Sequence, residues 1–186
     1  MPLPEPGPRE ELHARDIQLR GYRRPDGLYE VEGRLLDRKT TSYTAEPGAP
    51  TVQPGKPSHH MSIRLVFDED LLVHDAIAAT DAAPYGECFG APPTLECMRG
   101  VRIAAGWTRA VRERLGGVKS CTHLMELLLP MGTAAFQSIS LVRLARPVSL
   151  DAVGRPVKID SCYAYSARRG VVARRWPEHA LPADAD

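Results

Sequence analysis

Apolar and polar residues alternate along several stretches in the first half of the chain. From Met61 to Phe67 every second residue is apolar, and a second alternating run, Leu71 to Ala79, follows three acidic residues. A period of two residues is typical of a β-strand that buries one face. The two runs therefore predict an antiparallel pair of strands.

Two earlier runs with strand composition, Ile17–Arg23 and Leu28–Leu36, flank the sequence Arg-Pro-Asp-Gly. Pro25 presets the backbone angle φ that a tight turn requires, and Gly27 accepts a positive φ. These runs predict a β-hairpin.

Farther along the chain, apolar residues recur every three or four positions, which is typical of helices with one buried face. The first predicted helix ends at Gly116-Gly117. The second begins at Thr122, and Pro130 predicts a kink or a local end within it. The apolar residues are Ala104, Trp107, Val111 and Leu115 in the first helix, and Leu124, Leu127, Leu128, Met131, Ala135, Ile139 and Val142 in the second.

Near the carboxyl terminus, Val157–Tyr165 and Val171–Trp176 flank Ser-Ala-Arg-Arg-Gly, and they predict a second hairpin. Strands therefore stand before and after a block of helices and do not alternate with them. This order favours an α+β fold, with a largely antiparallel sheet packed against a block of helices.

Segments rich in proline, glycine and charge mark the expected boundaries of the fold. We expect a flexible amino-terminal arm at residues 1–15, a single α+β domain at residues 16–177 and a flexible tail at residues 178–186. Residues 45–58 contain four prolines and two glycines, which predicts a surface loop inside the domain.

The composition excludes several classes of function. The formal net charge of +1 gives no broad basic surface for nucleic acid. No run of 18 apolar residues is present, and the first residues lack the pattern of a secretory signal, so we expect a cytoplasmic protein without membrane contact. In that compartment the four widely spaced cysteines are expected to be free thiols or metal ligands.

The strongest chemical signal lies in the run Cys121-Thr-His-Leu-Met-Glu126. It combines a thiol, an imidazole and a carboxylate, the side chains that bind zinc or iron. His123 and Glu126 share one face of a helix, whereas Cys121 and His123 would differ by about 200°. Cys121 must therefore precede the helix, where the partial positive charge of the helix end lowers a thiol pKa. The alternative is a small buried cysteine beside a capping histidine.

Two further segments are expected near this run. Adjacent residues of a strand point to opposite faces, so at most one of His59 and His60 faces a given site. Asp81 lies in a loop that leads to Cys88, where a carboxylate and a thiol could converge. Packing is the simpler role for Cys88 and, because of its apolar neighbours, for Cys97. The role of Cys162 is left open.

Three stretches together resemble the bacterial family catalogued as domain of unknown function 2889. They are residues 20–33, the run His59-His-Met-Ser-Ile-Arg-Leu65, and Cys121-Thr-His-Leu-Met-Glu-Leu-Leu128 followed by residues 134–137. The resemblance spans roughly residues 15–177. The family has His-Asp-Met where this chain has His59-His60-Met61, so His60 is a departure, and it tends to have glycine where this chain has Ser120.

A weaker likeness is to iron-sulfur scaffold proteins of the NifU type. These proteins have one ligand before an antiparallel strand, a second after the next strand and a third at the start of a late helix. His59, the loop of residues 81–88 and Cys121 stand at those positions. The likeness implies that the three segments share a pocket.

The patterns favour a metal-dependent enzyme that acts on a small organic molecule. His59, Cys121 and His123 would bind a divalent metal, zinc or iron, and Glu126 or Asp81 would act as general base. Lyase, isomerase and hydrolase chemistry all stay open. The alternatives are a NifU-like zinc or iron-sulfur scaffold without catalysis and a metal-free enzyme with a cysteine nucleophile. We expect a small-molecule substrate and no nucleic-acid or membrane partner, and a homo-oligomer is left open.

Overall fold

The computed structural model describes residues 3–182, and the chain divides into two compact units, residues 1–143 and residues 144–186. The division falls inside residues 16–177, and the folding of that range as one cooperative domain stays a prediction. Residues 1–2 of the predicted arm and residues 183–186 of the predicted tail lie outside the described residues.

The first unit is built on an antiparallel sheet of four strands in the order β1-β2-β3-β4. The strands are β1 (His13–Arg23), β2 (Tyr29–Lys39), β3 (Pro57–Phe67) and β4 (Val73–Ala82). Both predicted strand pairs are confirmed, and Gly27 has the expected positive φ of 87°. The α+β class with an antiparallel sheet is confirmed as well.

The strands are longer than the apolar patterns indicated, and the extra residues matter for the site. β1 begins at His13 instead of Ile17, so it includes the last three residues of the predicted arm. These residues pair in register with the end of β2, where Arg15 lies opposite Asp37. Backbone pairing with β2 and the charge interaction between Arg15 and Asp37 stabilise this part of β1, where the apolar alternation does not continue.

One face of the sheet forms the core of the first unit with the helices. Helix α1 (Trp107–Leu115) packs on helix α2 (Thr122–Ser138), and α2 packs across β1, β2 and β3. Both predicted helices are confirmed, and α2 continues through Pro130. Core residues of the two central strands are Tyr29, Val31, Leu35, Met61, Ile63, Leu65 and Phe67.

Short elements complete this part of the chain. Helix α3 (Ser140–Leu144) follows α2, and 3-10 helices form at Gly86–Gly90, Pro92–Met98 and Gly117–Lys119. The proline-rich segment before β3 is a loop closed by an isolated bridge between Tyr43 and Val52. The predicted loop therefore ends slightly earlier than residue 58, because β3 begins at Pro57.

The second unit corrects the prediction of a carboxyl-terminal hairpin, which was wrong. Its described residues contain 3-10 helices at Tyr163–Tyr165 and Pro177–His179, and helix α4 (Gly170–Arg175). A small cluster of Ile159, Ala167 and Val172 holds it together. The Asp160 carboxylate accepts the Ala167 backbone N–H at 2.9 Å.

Among the described residues, no helix has both the length and the apolar character needed to cross a membrane.

Helix α2 approaches α1 at Gly132, where an added Cβ would lie 2.6 Å from the Trp107 ring. That ring is buried, and its Nε1–H donates to the Leu128 carbonyl at 3.0 Å. We expect Gly132→Ala to lower the free energy of unfolding by about 1–3 kcal/mol, because overpacking outweighs the gain in helix propensity of about 1 kcal/mol. Urea denaturation measures the change.

Thr133→Ala is the matched control, since Thr133 is the exposed neighbour on the same helix. Stabilisation by Gly132→Ala, as helix propensity alone would give, would contradict the close approach of α1 and α2.

Candidate metal centre

A row of three polar residues crosses the sheet where its apolar core ends. Arg15, Asp37 and His59 are in register on β1, β2 and β3. The next pair inward, Leu35 and Met61, is fully buried. Because alternate residues share a face, the polar row points to the same side of the sheet as the core.

Asp37 is the centre of this row, and its side chain is only 2% exposed. Arg15 donates from Nε to Oδ1 and from Nη2 to Oδ2, both at 2.7 Å. His59 Nδ1 lies 3.0 Å from Oδ2, and His13 Nε2 lies 3.3 Å from Oδ1. Burial alone would raise the pKa of Asp37, but the hydrogen bonds and charge of Arg15 outweigh it and hold that pKa below its ordinary value.

The start of α2 brings a second imidazole to the row. The His123 ring stacks on the His59 ring with 3.8 Å between centroids, and His123 Nε2 lies 3.9 Å from Asp37 Oδ2. One turn later, Glu126 Oε2 lies 3.4 Å from Arg15 Nη1. His123 and Glu126 were predicted to share one face of a helix, and both lie beside the polar row.

Asp37, His59 and His123 each offer one ligand atom, and these atoms lie within 4.8 Å of one another. Two imidazoles and a carboxylate are a donor set that suits zinc or non-haem iron. Burial and then the neighbouring His123 lower the pKa of His59 despite the attraction of Asp37. A neutral imidazole keeps a lone pair, so the cluster could hold a metal ion.

Cys121 lies immediately before α2, as predicted, and its backbone angles are extended. Its Sγ is 3.9 Å from His123 Nδ1 and 3.9 Å from Met61 Sδ. Burial would raise the pKa of the Cys121 thiol, but hydrogen bonds from His123 and from the first backbone N–H groups of the helix hold it below its ordinary value. Cys121 is outside the set of ligand atoms within 4.8 Å, and its role as a ligand stays a prediction.

Asp81 lies with His60 instead of His59. Its Oδ2 is 3.3 Å from His60 Nδ1, while Arg34 Nε donates to His60 Nε2 at 2.7 Å. Because Arg34 donates to Nε2, a neutral His60 ring carries its proton on Nδ1, the nitrogen nearer Asp81. His59 and His60 point to opposite faces of β3, as expected, so Asp81 does not join the cluster.

The other cysteines are not among the converging ligand atoms of the described residues. Cys88 is half-buried and lines a cavity together with Cys121. Cys97 is exposed although its neighbours Leu95 and Met98 are fully buried, so the expected packing role was wrong, because the 3-10 helix turns it outward. Cys162 is exposed in the second unit.

Two cavities flank the stacked imidazoles. One of about 600 Å³ is lined by Asp37, and the other, of about 550 Å³, is lined by Cys121. His59, His123 and Tyr85 contribute to both. The imidazole pair is therefore accessible from either side.

The sequence patterns missed Asp37, Arg15 and His13. The usable signal was the spacing of Val31, Gly33 and Leu35, which occupy every second position of β2 and are buried. The same period of two residues reaches position 37. A carboxylate on the core face of a strand is rare without a partner. That partner, Arg15, was assigned to the predicted flexible arm.

The model of the family described as "Protein of unknown function (DUF2889)" matches residues 13–137, about two thirds of the chain. The chain belongs to the DUF2889 family. The matched range begins at the first residue of β1 and includes every residue of the cluster. No curated protein matches the chain significantly, and no solved structure does either. The likeness of this DUF2889 chain to NifU-type proteins therefore finds no support in these comparisons.

The contacts of Asp37 predict how stability depends on pH. We expect Asp37→Asn to lower the free energy of unfolding of the metal-free protein by about 2–4 kcal/mol near pH 7. The folded-state pKa lies below the ordinary 3.8, so this contribution is complete above that pH and is lost as the pH falls through the folded-state value. Urea denaturation at several pH values should show the difference from wild type shrinking in acid.

Asp81→Asn provides the control, because Asp81 is 56% exposed and its ion pair should contribute less than about 1 kcal/mol. A constant difference between wild type and Asp37→Asn from neutral pH into acid would contradict the pKa assignment.

Proposed function

We propose that this DUF2889 protein is a metal-dependent enzyme that acts on a small organic molecule, with zinc or iron bound by Asp37, His59 and His123. The observation that carries the proposal is the convergence of these three side chains within 4.8 Å. A bound divalent metal supplies an activated water or a polarised carbonyl. The reaction type is left at the level of lyase, isomerase or hydrolase.

Accessibility of the cluster supports catalysis over a purely structural metal. His59 and His123 are 19% and 25% exposed, and both line two open cavities. Catalytic metal sites keep a position for water or substrate, whereas structural sites are closed by protein ligands. The cavities provide room for such a substrate.

Glu126 is the general base that we propose, because it lies one turn after His123 and is 48% exposed. Its contact with Arg15 at 3.4 Å keeps the carboxylate at the edge of the cluster. Asp81 is less suited to this role, since its carboxylate pairs with His60 on the other face of the sheet.

The donor set argues against an iron-sulfur scaffold. Clusters of that kind are held mainly by cysteine thiolates, and the group that converges here contains two imidazoles and one carboxylate.

Metal analysis tests the proposal directly. We expect the untagged protein to contain stoichiometric zinc or iron, and we expect His59→Ala and His123→Ala each to weaken metal binding by more than about a hundredfold. His60→Ala is the matched control, because it removes a neighbouring histidine that also contacts a carboxylate but faces away from the cluster. Competition with a chromogenic chelator measures the affinities.

Absence of metal uptake by the wild-type protein, or an equal loss in His60→Ala, would contradict the proposal. Cobalt substitution tests in addition whether Cys121 is a metal ligand. With Asp37, His59 and His123 as ligands, the spectrum should lack the thiolate-to-metal charge-transfer band that cysteine ligation would produce.

A metal-free cysteine enzyme is the second candidate, and one chain of contacts favours it. Cys121 Sγ lies 3.9 Å from His123 Nδ1, and His123 Nε2 lies 3.9 Å from Asp37 Oδ2. This order of thiol, imidazole and carboxylate is the arrangement that activates a cysteine nucleophile.

Alkylation by iodoacetamide tests this second candidate. We expect the Cys121 thiol to react at lower pH than the Cys97 thiol, because hydrogen bonds lower the pKa of Cys121 while desolvation raises that of Cys97. His123→Gln should slow labelling of Cys121 near neutral pH by about tenfold and leave Cys97 unchanged. Mass spectrometry of labelled peptides gives both rates, and equal profiles for the two thiols would eliminate the candidate.

A further inference from the structure

Among the residues that line the cavity on the Asp37 side, permanent cations outnumber carboxylates. Its lining includes two permanent cations, Arg15 and Lys39, and a single carboxylate, Asp37, besides histidines. The cavity is open and measures about 600 Å³, which accommodates a small molecule. Charge complementarity therefore favours an anionic occupant.

The two cations have different partners. Arg15 makes a bidentate ion pair with Asp37 and also contacts Glu126 at 3.4 Å, so its charge is balanced within the protein. The Lys39 ammonium lies 5.2 Å from the centre of the Tyr43 ring. Within residues 3–182, Lys39 has no carboxylate close enough for an ion pair. The Lys39 ammonium is therefore the cation in this cavity that is available to pair with a ligand.

The position of Lys39 relative to the candidate metal ligands is fixed by β2. Lys39 is two residues beyond Asp37 on the same face, and its pairing with His13 continues the register that pairs Asp37 with Arg15. Two residues of a strand span about 7 Å. A molecule of a few carbon atoms could thus contact Lys39 with one end and the cluster with the other.

We propose that the cavity binds a small organic anion, with a carboxylate or phosphate group held by Lys39 and the rest of the molecule directed toward Asp37, His59 and His123. The inference rests on the proposed function for the identity of the cluster as the reacting end. Lys39 is then a residue that determines specificity, since it selects the charge of the substrate.

Ligand titrations followed by NMR test the inference. The probes are propionate, methyl phosphate and uncharged propionamide, each added to the metal-free and to the zinc-loaded protein. We expect propionate or methyl phosphate to bind, propionamide to bind more weakly, and added salt to weaken the anion binding. Whichever anion binds more tightly identifies the head group as carboxylate or phosphate.

Lys39→Met removes the charge and keeps the aliphatic stem, and it should weaken anion binding by about threefold to tenfold. Lys39→Arg should retain most of the affinity. Lys56→Met is the matched control, because Lys56 is exposed just before β3 and does not line the cavity.

Three results would overturn the inference: propionamide binding as tightly as propionate, equal losses in Lys39→Met and Lys56→Met, or no binding of either anion. The result also separates this inference from the proposed function. Anion binding through Lys39 in a protein that takes up no metal would contradict the proposed metal enzyme and support the anion site. Metal uptake without anion binding would contradict the anion site and support the proposed metal centre.

Discussion

The buried ion pair between Asp37 and Arg15 is the interaction on which the rest of the site depends. A carboxylate that is 2% exposed is costly to charge unless donors surround it, and Arg15 provides two hydrogen bonds of 2.7 Å. The pair also links β1 to β2 at the point where the apolar core stops. The Asp37 carboxylate, oriented by Arg15, in turn attracts the imidazole of His59, whose Nδ1 lies 3.0 Å from Oδ2.

The elements of the first unit could be predicted from sequence because each depends on a local pattern. The alternation from Met61 to Phe67 and the spacing of Trp107, Val111 and Leu115 report burial directly, and burial decided both structures. The hairpin predicted at the carboxyl terminus failed because helical turns form where its strands were expected, at Tyr163–Tyr165 and Gly170–Arg175.

The site was predicted only in part, for a related reason. His123 and Glu126 lie on one turn of α2, so their convergence follows from helical geometry. Alternation along a strand showed only that His59 and His60 face opposite ways, and the family resemblance singled out His59. Asp37 and Arg15 are distant in sequence and meet only through the register of the sheet, which no local pattern reports. The carboxylate that centres the cluster was therefore the residue that sequence reasoning lacked.

The hydrogen bonds of Asp37 also restrict how a metal can bind. A carboxylate offers about four lone-pair positions. Arg15 takes two of them, and His59 and His13 lie within 3.0 and 3.3 Å of the oxygens. Of these contacts, those of Arg15 and His59 are hydrogen bonds, which together occupy three positions. A metal ion bound by both Asp37 and His59 Nδ1 would take the place of the His59 hydrogen bond, because that ring nitrogen would then bind the metal.

That exchange makes the role of Asp37 depend on the metal. Without the ion, Asp37 would hold a proton on His59 Nδ1 and leave Nε2 as the free lone pair, while the contacts with Arg15 stay the same. With an ion bound to Nδ1, the proton of a neutral His59 ring would be on Nε2. Arg15 would remain the partner of Asp37 in both states and would keep the carboxylate oriented, while His59 would change from hydrogen-bond donor to ligand.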